Sequence, residues 1–138
     1  MKGYYKKSDG RSIELKQEDV LSLCYMDIVE LVIPDGCEWI DCSDNQLKEL
    51  IIPAGCKVVN CSNNQLTKLI IPDGCKSKSV SCYNNQLKEL ILPNSCDTIS
   101  CWGNQLKVLV IPDGCREVWA DMKSVTELNK VNILNLWI

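Results

Sequence analysis

Ten cysteines and no histidine set the chemistry open to this chain. A thiolate is a nucleophile and a soft-metal ligand, and a catalytic cysteine is usually activated by a neighbouring base, most often histidine. The cysteines here recur in columns instead. Cys37, Cys56, Cys75, Cys96 and Cys115 form one, Cys42, Cys61, Cys82 and Cys101 form a second, and Cys24 stands outside both. A residue type spent at the same two places in every copy of a phrase fills a core position, so buried free thiols are the leading expectation. A disulfide framework and a thiolate metal site are the alternatives, and the first needs an oxidising compartment. Asp35, Asp73 and Asp113 make a column that could suggest calcium, but Ala54 and Asn94 interrupt it and turn formation explains it better. There is no Gly-rich phosphate loop. No catalytic residue, cofactor site or metal ligand is assigned, and the chain is expected not to be an enzyme.

The elements that position these columns follow from a repeat. Asn-Gln-Leu occurs at Asn45, Asn64, Asn85 and Asn104, with spacings of 19, 21 and 19 residues. A fixed period in this range marks a solenoid, whose units bury their apolar faces by stacking on one another. Each copy has a corner: Pro34-Asp-Gly36, Pro53-Ala-Gly55, Pro72-Asp-Gly74, Pro93-Asn-Ser95 and Pro112-Asp-Gly114. Pro with Asp, Asn and Gly is turn chemistry. After the corner comes a short alternating segment such as Val59-Asn60-Cys61. After Asn-Gln comes another, such as Leu66 to Ile71. Period-2 alternation predicts strands with one face buried. The expected rung therefore has two short strands and two bends. Cys75 to Cys82 is seven residues where Cys56 to Cys61 is five, so one copy carries a two-residue insertion within 76–79.

Val59-x-Cys61-x-x-Asn64-x-Leu66-x-x-Leu69 resembles the leucine-rich-repeat phrase, with Cys in one Leu slot. The short 19–21-residue form is similar to compact repeats of bacterial and viral proteins. The resemblance covers roughly residues 20–128. It implies a β-rich, parallel solenoid in which Asn45, Asn64, Asn85 and Asn104 form a buried amide ladder tying successive turns together. Met26 and Lys123 stand at that position in the terminal copies, where the regular pattern ends. The expectation is one domain over 1–138, with repeats at 21–128 and irregular caps at 1–20 and 129–138, the latter rich in Leu134, Leu136, Trp137 and Ile138. Some bacterial effectors join such repeats to a ubiquitin-ligase domain. The repeats consume this chain, and that activity is not carried over.

With 18 acidic against 15 basic residues, a net charge of −3 offers no footprint for nucleic acid or anionic membrane. No apolar run approaches the roughly 20 residues that span a bilayer. The basic start Met1-Lys2-Gly3-Tyr4-Tyr5-Lys6-Lys7 is not followed by a hydrophobic stretch, so a reducing, cytoplasmic location is expected.

Binding is the function class left. If Ile40, Val59 and Ile99 point inward, their strand neighbours point out. That exposes Trp39, Asp41, Ser43, Asp44, Ser62, Tyr83, Trp102, Glu117, Trp119 and Asp121, with Tyr25 at the edge. Aromatics among acids suit a protein partner with a basic surface. The narrower form is a phage- or pathogen-encoded inhibitor of a host or defence protein. The second strand should present a β-branched stripe of Val32, Ile51, Ile70, Ile91 and Val110, flanked by Lys48, Lys68, Lys88, Glu49 and Glu89. That stripe is equally suited to local packing or to a self-associating homodimer.

Overall fold

The computed structural model describes residues 2–72, 74–121, 123, 125, 127–129 and 135–137. Asp73, Leu134 and Ile138 fall outside the described residues. The chain is all-β, a parallel solenoid of about five turns. No helix among the described residues is long and apolar enough to cross a membrane.

One face is a seven-stranded parallel sheet. Its members are β3 (Val20–Ser22), β5 (Trp39–Asp41), β7 (Val58–Asn60), β9 (Ser79–Ser81), β11 (Thr98–Ser100), β13 (Glu117–Trp119) and β15 (Asn135–Trp137). They pair without slip, as in Ile40↔Val59 and Val59↔Val80. A three-residue strand suffices because each central residue buries its side chain and the same residue of the next rung extends that row. Ile40, Val59, Val80, Ile99 and Val118 are all buried in this way. Within the segment expected to form the C-terminal cap, β15 pairs in parallel with β13.

The second face is discontinuous. It holds β4 (Ile28–Val32), β6 (Glu49–Ile51), β8 (Lys68–Ile70), β10 (Glu89–Ile91), β12 (Val108–Val110) and β14 (Glu127–Asn129). Ladders join β6 to β8 and run from β10 through β12 to β14, but β4 does not pair with β6, nor β8 with β10. β4 pairs antiparallel with β1 (Gly3–Lys7), which also pairs with β2 (Ser12–Leu15). The N-terminal segment thus closes this end as a hairpin.

Side-chain amides tie the rungs together. Asn64 accepts from Leu47 N–H at 2.9 Å and donates to the carbonyls of Cys42, Cys61 and Ser62 at 3.0–3.2 Å. Asn45, Asn85 and Asn104 make the equivalent bonds in their own rungs. A buried bend leaves backbone groups that water cannot reach, and each amide satisfies several of them. The residue before each of these Asn adopts positive φ: Asp44, Asn63, Asn84 and Gly103 at 53–69°. Asn and Asp tolerate that region better than other side chains.

Nine of the ten cysteines are buried and all are free; Cys24 is half-buried. They share the interior with Leu47, Leu66, Leu87 and Leu106. A buried free thiol behaves as a small, polarizable apolar group, and here it fills its columns beside the larger leucine columns.

The insertion is a packed wedge. Ser79 pairs with Val58, so Lys76 and Ser77 are the extra residues. Ser77 is fully buried and donates to Cys56 O at 2.7 Å. Ser95 in the next rung donates to Cys75 O and Ser77 O, both at 2.8 Å. Three of the other four copies have Pro-Asp-Gly at that corner, and the serine hydroxyl shares its one proton between two carbonyls that the insertion leaves inside.

Candidate functional site

The aromatic side chains lie on the outer surface at and beside the seven-stranded sheet. Trp39 and Trp119 stand in strands, while Tyr83 and Trp102 follow theirs at the bend position that Ser43 and Ser62 hold in earlier rungs. Trp39 is 36% exposed, and Trp102 and Trp119 are each 40% exposed. Tyr83 and Trp102, on consecutive rungs, stack with ring centroids 4.6 Å apart and planes 5° from parallel. That separation matches the rung spacing of about 4.8 Å, so the rings stand across the solenoid axis and turn their edges to solvent. Such a pair contributes roughly 0.5–1.5 kcal/mol beyond its buried area and holds both rings in one orientation.

The acids around it are partly committed to holding the surface together. Trp119 Nε1 donates to Glu117 Oε1 at 2.7 Å, which fixes the indole against its own strand. Asp121 Oδ2 accepts the Gly103 N–H at 2.7 Å. Asp41 Oδ1 accepts both Ser43 N–H at 3.0 Å and Ser43 Oγ–H at 2.6 Å. Asp44 is half-buried at its positive-φ bend, and its carboxylate holds the neighbouring Tyr25 hydroxyl above the ordinary tyrosine value.

These residues form two groups rather than one. Tyr83, Trp102, Glu117, Trp119 and Asp121 cluster on the last rungs. Trp39, Asp41 and Asp44 lie three strands away from β11, about 14 Å at the usual strand spacing. Two positions differ from expectation: Ser43 and Ser62 are buried, not outward. They follow the strand at the start of the bend, where alternation no longer applies, and Ser62 Oγ is hydrogen-bonded to Ser81 Oγ at 2.9 Å.

The apolar stripe is exposed but broken. Ile51 and Ile91 are 62% and 52% exposed, Ile70 is 36% exposed, and Val32 and Val110 are half-buried. Register holds for Ile51↔Ile70 and Ile91↔Val110 and lapses from Val32 to Ile51 and from Ile70 to Ile91.

The lapse between β4 and β6 was not foreseen from sequence. A cleft of about 580 Å³ opens there, lined by residues that include Val29, Glu30, Val32, Lys48, Glu49 and Ile51. A continued parallel ladder would set Glu30 opposite Glu49, and like charges directly opposite destabilise a strand pair. Glu30 turns instead to β1, accepting from Tyr4 Oη–H at 2.5 Å and pairing with Lys6 Nζ at 3.6 Å. The signal in the sequence is a glutamate at one repeat position in two consecutive copies.

Burial pushes the Cys61 and Cys101 thiols up to about 12 and holds Cys42 and Cys82 well above the ordinary value. Among the described residues no group of three or more Cys, Asp or Glu is arranged to hold a metal ion. Comparison with family models, with curated proteins and with solved structures gives no match to this chain.

Proposed function

We propose that this chain is a non-enzymatic, leucine-rich-repeat-like solenoid that binds another protein through the aromatic end of its seven-stranded sheet. The observation that carries this reading is the Tyr83–Trp102 stack, fixed in orientation and half open to water beside Trp119. Large aromatics on a rigid sheet lose little conformational entropy on binding, and such residues dominate interface energetics. Glu117 and Asp121 each keep a second carboxylate oxygen for a Lys or Arg of the partner. The three-residue strands and amide-tied bends supply a preformed surface.

The test uses the intact protein as immobilised bait beside Trp102→Ala, with captured proteins purified and re-titrated singly. A bona fide partner loses roughly 30-fold or more in affinity with Trp102→Ala, the scale of a hot-spot truncation. Equal affinity for both baits defeats the reading. Trp39→Ala should matter less, because Trp39 lies apart from the cluster. An inhibitor of a host or defence protein is the narrower form, tested by loss of the captured protein's activity on binding.

A second reading has one specific support, the exposure of Ile51 and Ile91. Self-association through that stripe predicts a dimer in sedimentation that Ile91→Lys abolishes. The two breaks in the second face weigh against it, since they leave no continuous flat surface to pair.

A further inference from the structure

We propose that the first cysteine column holds two sites for a soft monovalent metal ion, Cu(I), each a two-thiolate clamp: one of Cys37 with Cys56, the other of Cys96 with Cys115.

The register sets the spacing. The residues that follow these cysteines bridge consecutive rungs, with Lys57 N–H donating to Glu38 O at 2.7 Å and Arg116 N–H to Asp97 O at 2.8 Å. Each cysteine therefore lies level with its partner, one rung of about 4.8 Å away. The thiols also point the same way. Cys37, Cys56, Cys96 and Cys115 Sγ sit 3.3, 3.5, 3.5 and 3.8 Å from the carbonyl two residues further along their own rungs. Parallel thiols on level rungs keep about the rung spacing between their sulfurs. That is close to twice a metal–thiolate bond of about 2.3 Å, so one ion centred between them meets both. A disulfide needs its sulfurs about 2.05 Å apart, and both side chains would have to turn.

The insertion divides the column into these pairs. Lys78 N–H donates to Lys57 O and Asp97 N–H to Lys78 O, both at 2.8 Å, which leaves Ser77 level with Cys56 and Cys96. Cys75 is displaced, its sulfur 3.2 Å from Ser77 Oγ and 3.5 Å from Pro53 O. Among the described residues no third Cys, Asp or Glu completes either pair as a metal site. Zinc in structural sites takes four ligands and is left unsatisfied, whereas Cu(I) is a soft ion that thiolates select and two of them suffice for it.

The position of the column gives the ion a way in. Each pair lies directly behind exposed corner residues, Gly36 and Gly55 at one and Ser95 and Gly114 at the other. The second cysteine column is followed instead by the buried Ser43 and Ser62 and the stacked Tyr83 and Trp102. The Cys56 thiol, hydrogen-bonded to Cys37, holds the Cys37 thiol below its ordinary value, while burial pushes Cys96 up to about 12. The Cys37–Cys56 pair therefore gives up its first proton more readily and loads first. Each ion displaces two thiol protons, so a loaded pair carries one negative charge and affinity rises with pH.

The test uses the reduced chain without oxygen, in a Cys24→Ser background that removes the half-buried thiol. Cu(I) is supplied as its bicinchoninate complex, and native mass spectrometry counts the ions held. Two ions per chain are expected, falling to one in Cys37→Ser or Cys96→Ser and staying at two in Cys42→Ser. Zinc titrated in the same buffer should not be retained. X-ray absorption of the loaded chain should give two sulfur neighbours per copper, a reading that needs no variant in the pairs. Failure to take copper from the chelator overturns the proposal. So do two ions retained in both Cys37→Ser and Cys96→Ser, three or more sulfurs around each copper, uptake only after unfolding, or conversion of the pairs to disulfides.

Discussion

Gly103 donates its amide to the Asp121 carboxylate at the step where the preceding rungs use a backbone carbonyl. The equivalent donors are Tyr25 to Ser43 O, Asp44 to Ser62 O, Asn63 to Tyr83 O and Asn84 to Trp102 O, at 2.9–3.3 Å. A side chain thus replaces main chain where the repeat loses its regularity. Gly103 has a φ of 69°, in the region that Asp44, Asn63 and Asn84 adopt in the preceding rungs, and a Cβ there would lie 2.3 Å from Asn84 Oδ1, so a side chain at 103 would displace that amide. Asp121→Ala should lower stability by about 1 kcal/mol, with the loss concentrated in faster exchange of the Gly103 amide. Asp121→Asn keeps an acceptor and should cost less. Any loss of partner binding in Asp121→Ala must therefore be compared with Trp102→Ala, which touches no such bond.

The amide ladder should show a gradient. Asn64 is buried and makes four hydrogen bonds, whereas Asn104 is half-buried. Asn64→Ala leaves the buried Leu47 N–H without its acceptor, while the Cys42 carbonyl keeps the Asn45 amide, and should cost about 3 kcal/mol. Asn104→Ala should cost about half as much, because water reaches that bend. Urea denaturation of the two variants checks the ordering, and equal losses would contradict it.

Ser95 and the wedge should behave as a pair. Ser95→Gly restores the glycine of Pro34-Asp-Gly36 but removes the one hydroxyl donor shared by Cys75 O and Ser77 O, at a cost of about 1–2 kcal/mol. Deleting Lys76 and Ser77 removes the need for that hydroxyl, so Ser95→Gly should be close to neutral in the shortened chain. A double-mutant cycle reads this coupling directly.

Thiol reactivity should separate Cys24 from the rest. Its nine companions are buried, and burial pushes Cys61, Cys96 and Cys101 up to about 12, so their thiolates are scarce near neutral pH. An aromatic disulfide reagent should label about one thiol promptly in the native protein and all ten after unfolding. Prompt labelling of several thiols would show that the columns are open to solvent.

Acid should loosen the N-terminal hairpin before the solenoid. The Tyr4 hydrogen bond and then the Lys6 ammonium hold the Glu30 carboxyl below its ordinary value of 4.5. A carboxyl depressed on folding adds stability that is present above its unfolded value and is lost as pH falls through the folded one. The window therefore lies below about pH 4.5, and the effect is small because the group is exposed. Amide exchange in β1, corrected for its intrinsic pH dependence, should report more frequent opening at pH 3 than at pH 6 while β7 and β9 stay protected.

Much of this architecture is legible in the sequence because it is local. The Pro corner, the Asn-Gln bend and the alternation of Val59-Asn60-Cys61 each constrain a few consecutive residues. Their recurrence stacks identical segments, so the buried rows, the amide bonds and the outward Trp39 and Trp119 follow from strand phase and repetition. Lateral fit between rungs is a different matter, since it pairs residues about 19 apart. Only the tertiary structure decides that Glu30 leaves Glu49 for Tyr4 and Lys6, and that the Val32-Ile51-Ile70-Ile91-Val110 register closes at two of its four steps. It also decides that Ser43 and Ser62 turn inward where the strand has ended, and that Asp121 serves as a backbone surrogate. Periodicity states which residues repeat; charge, an inserted pair of residues and an unsatisfied amide determine how neighbouring copies meet.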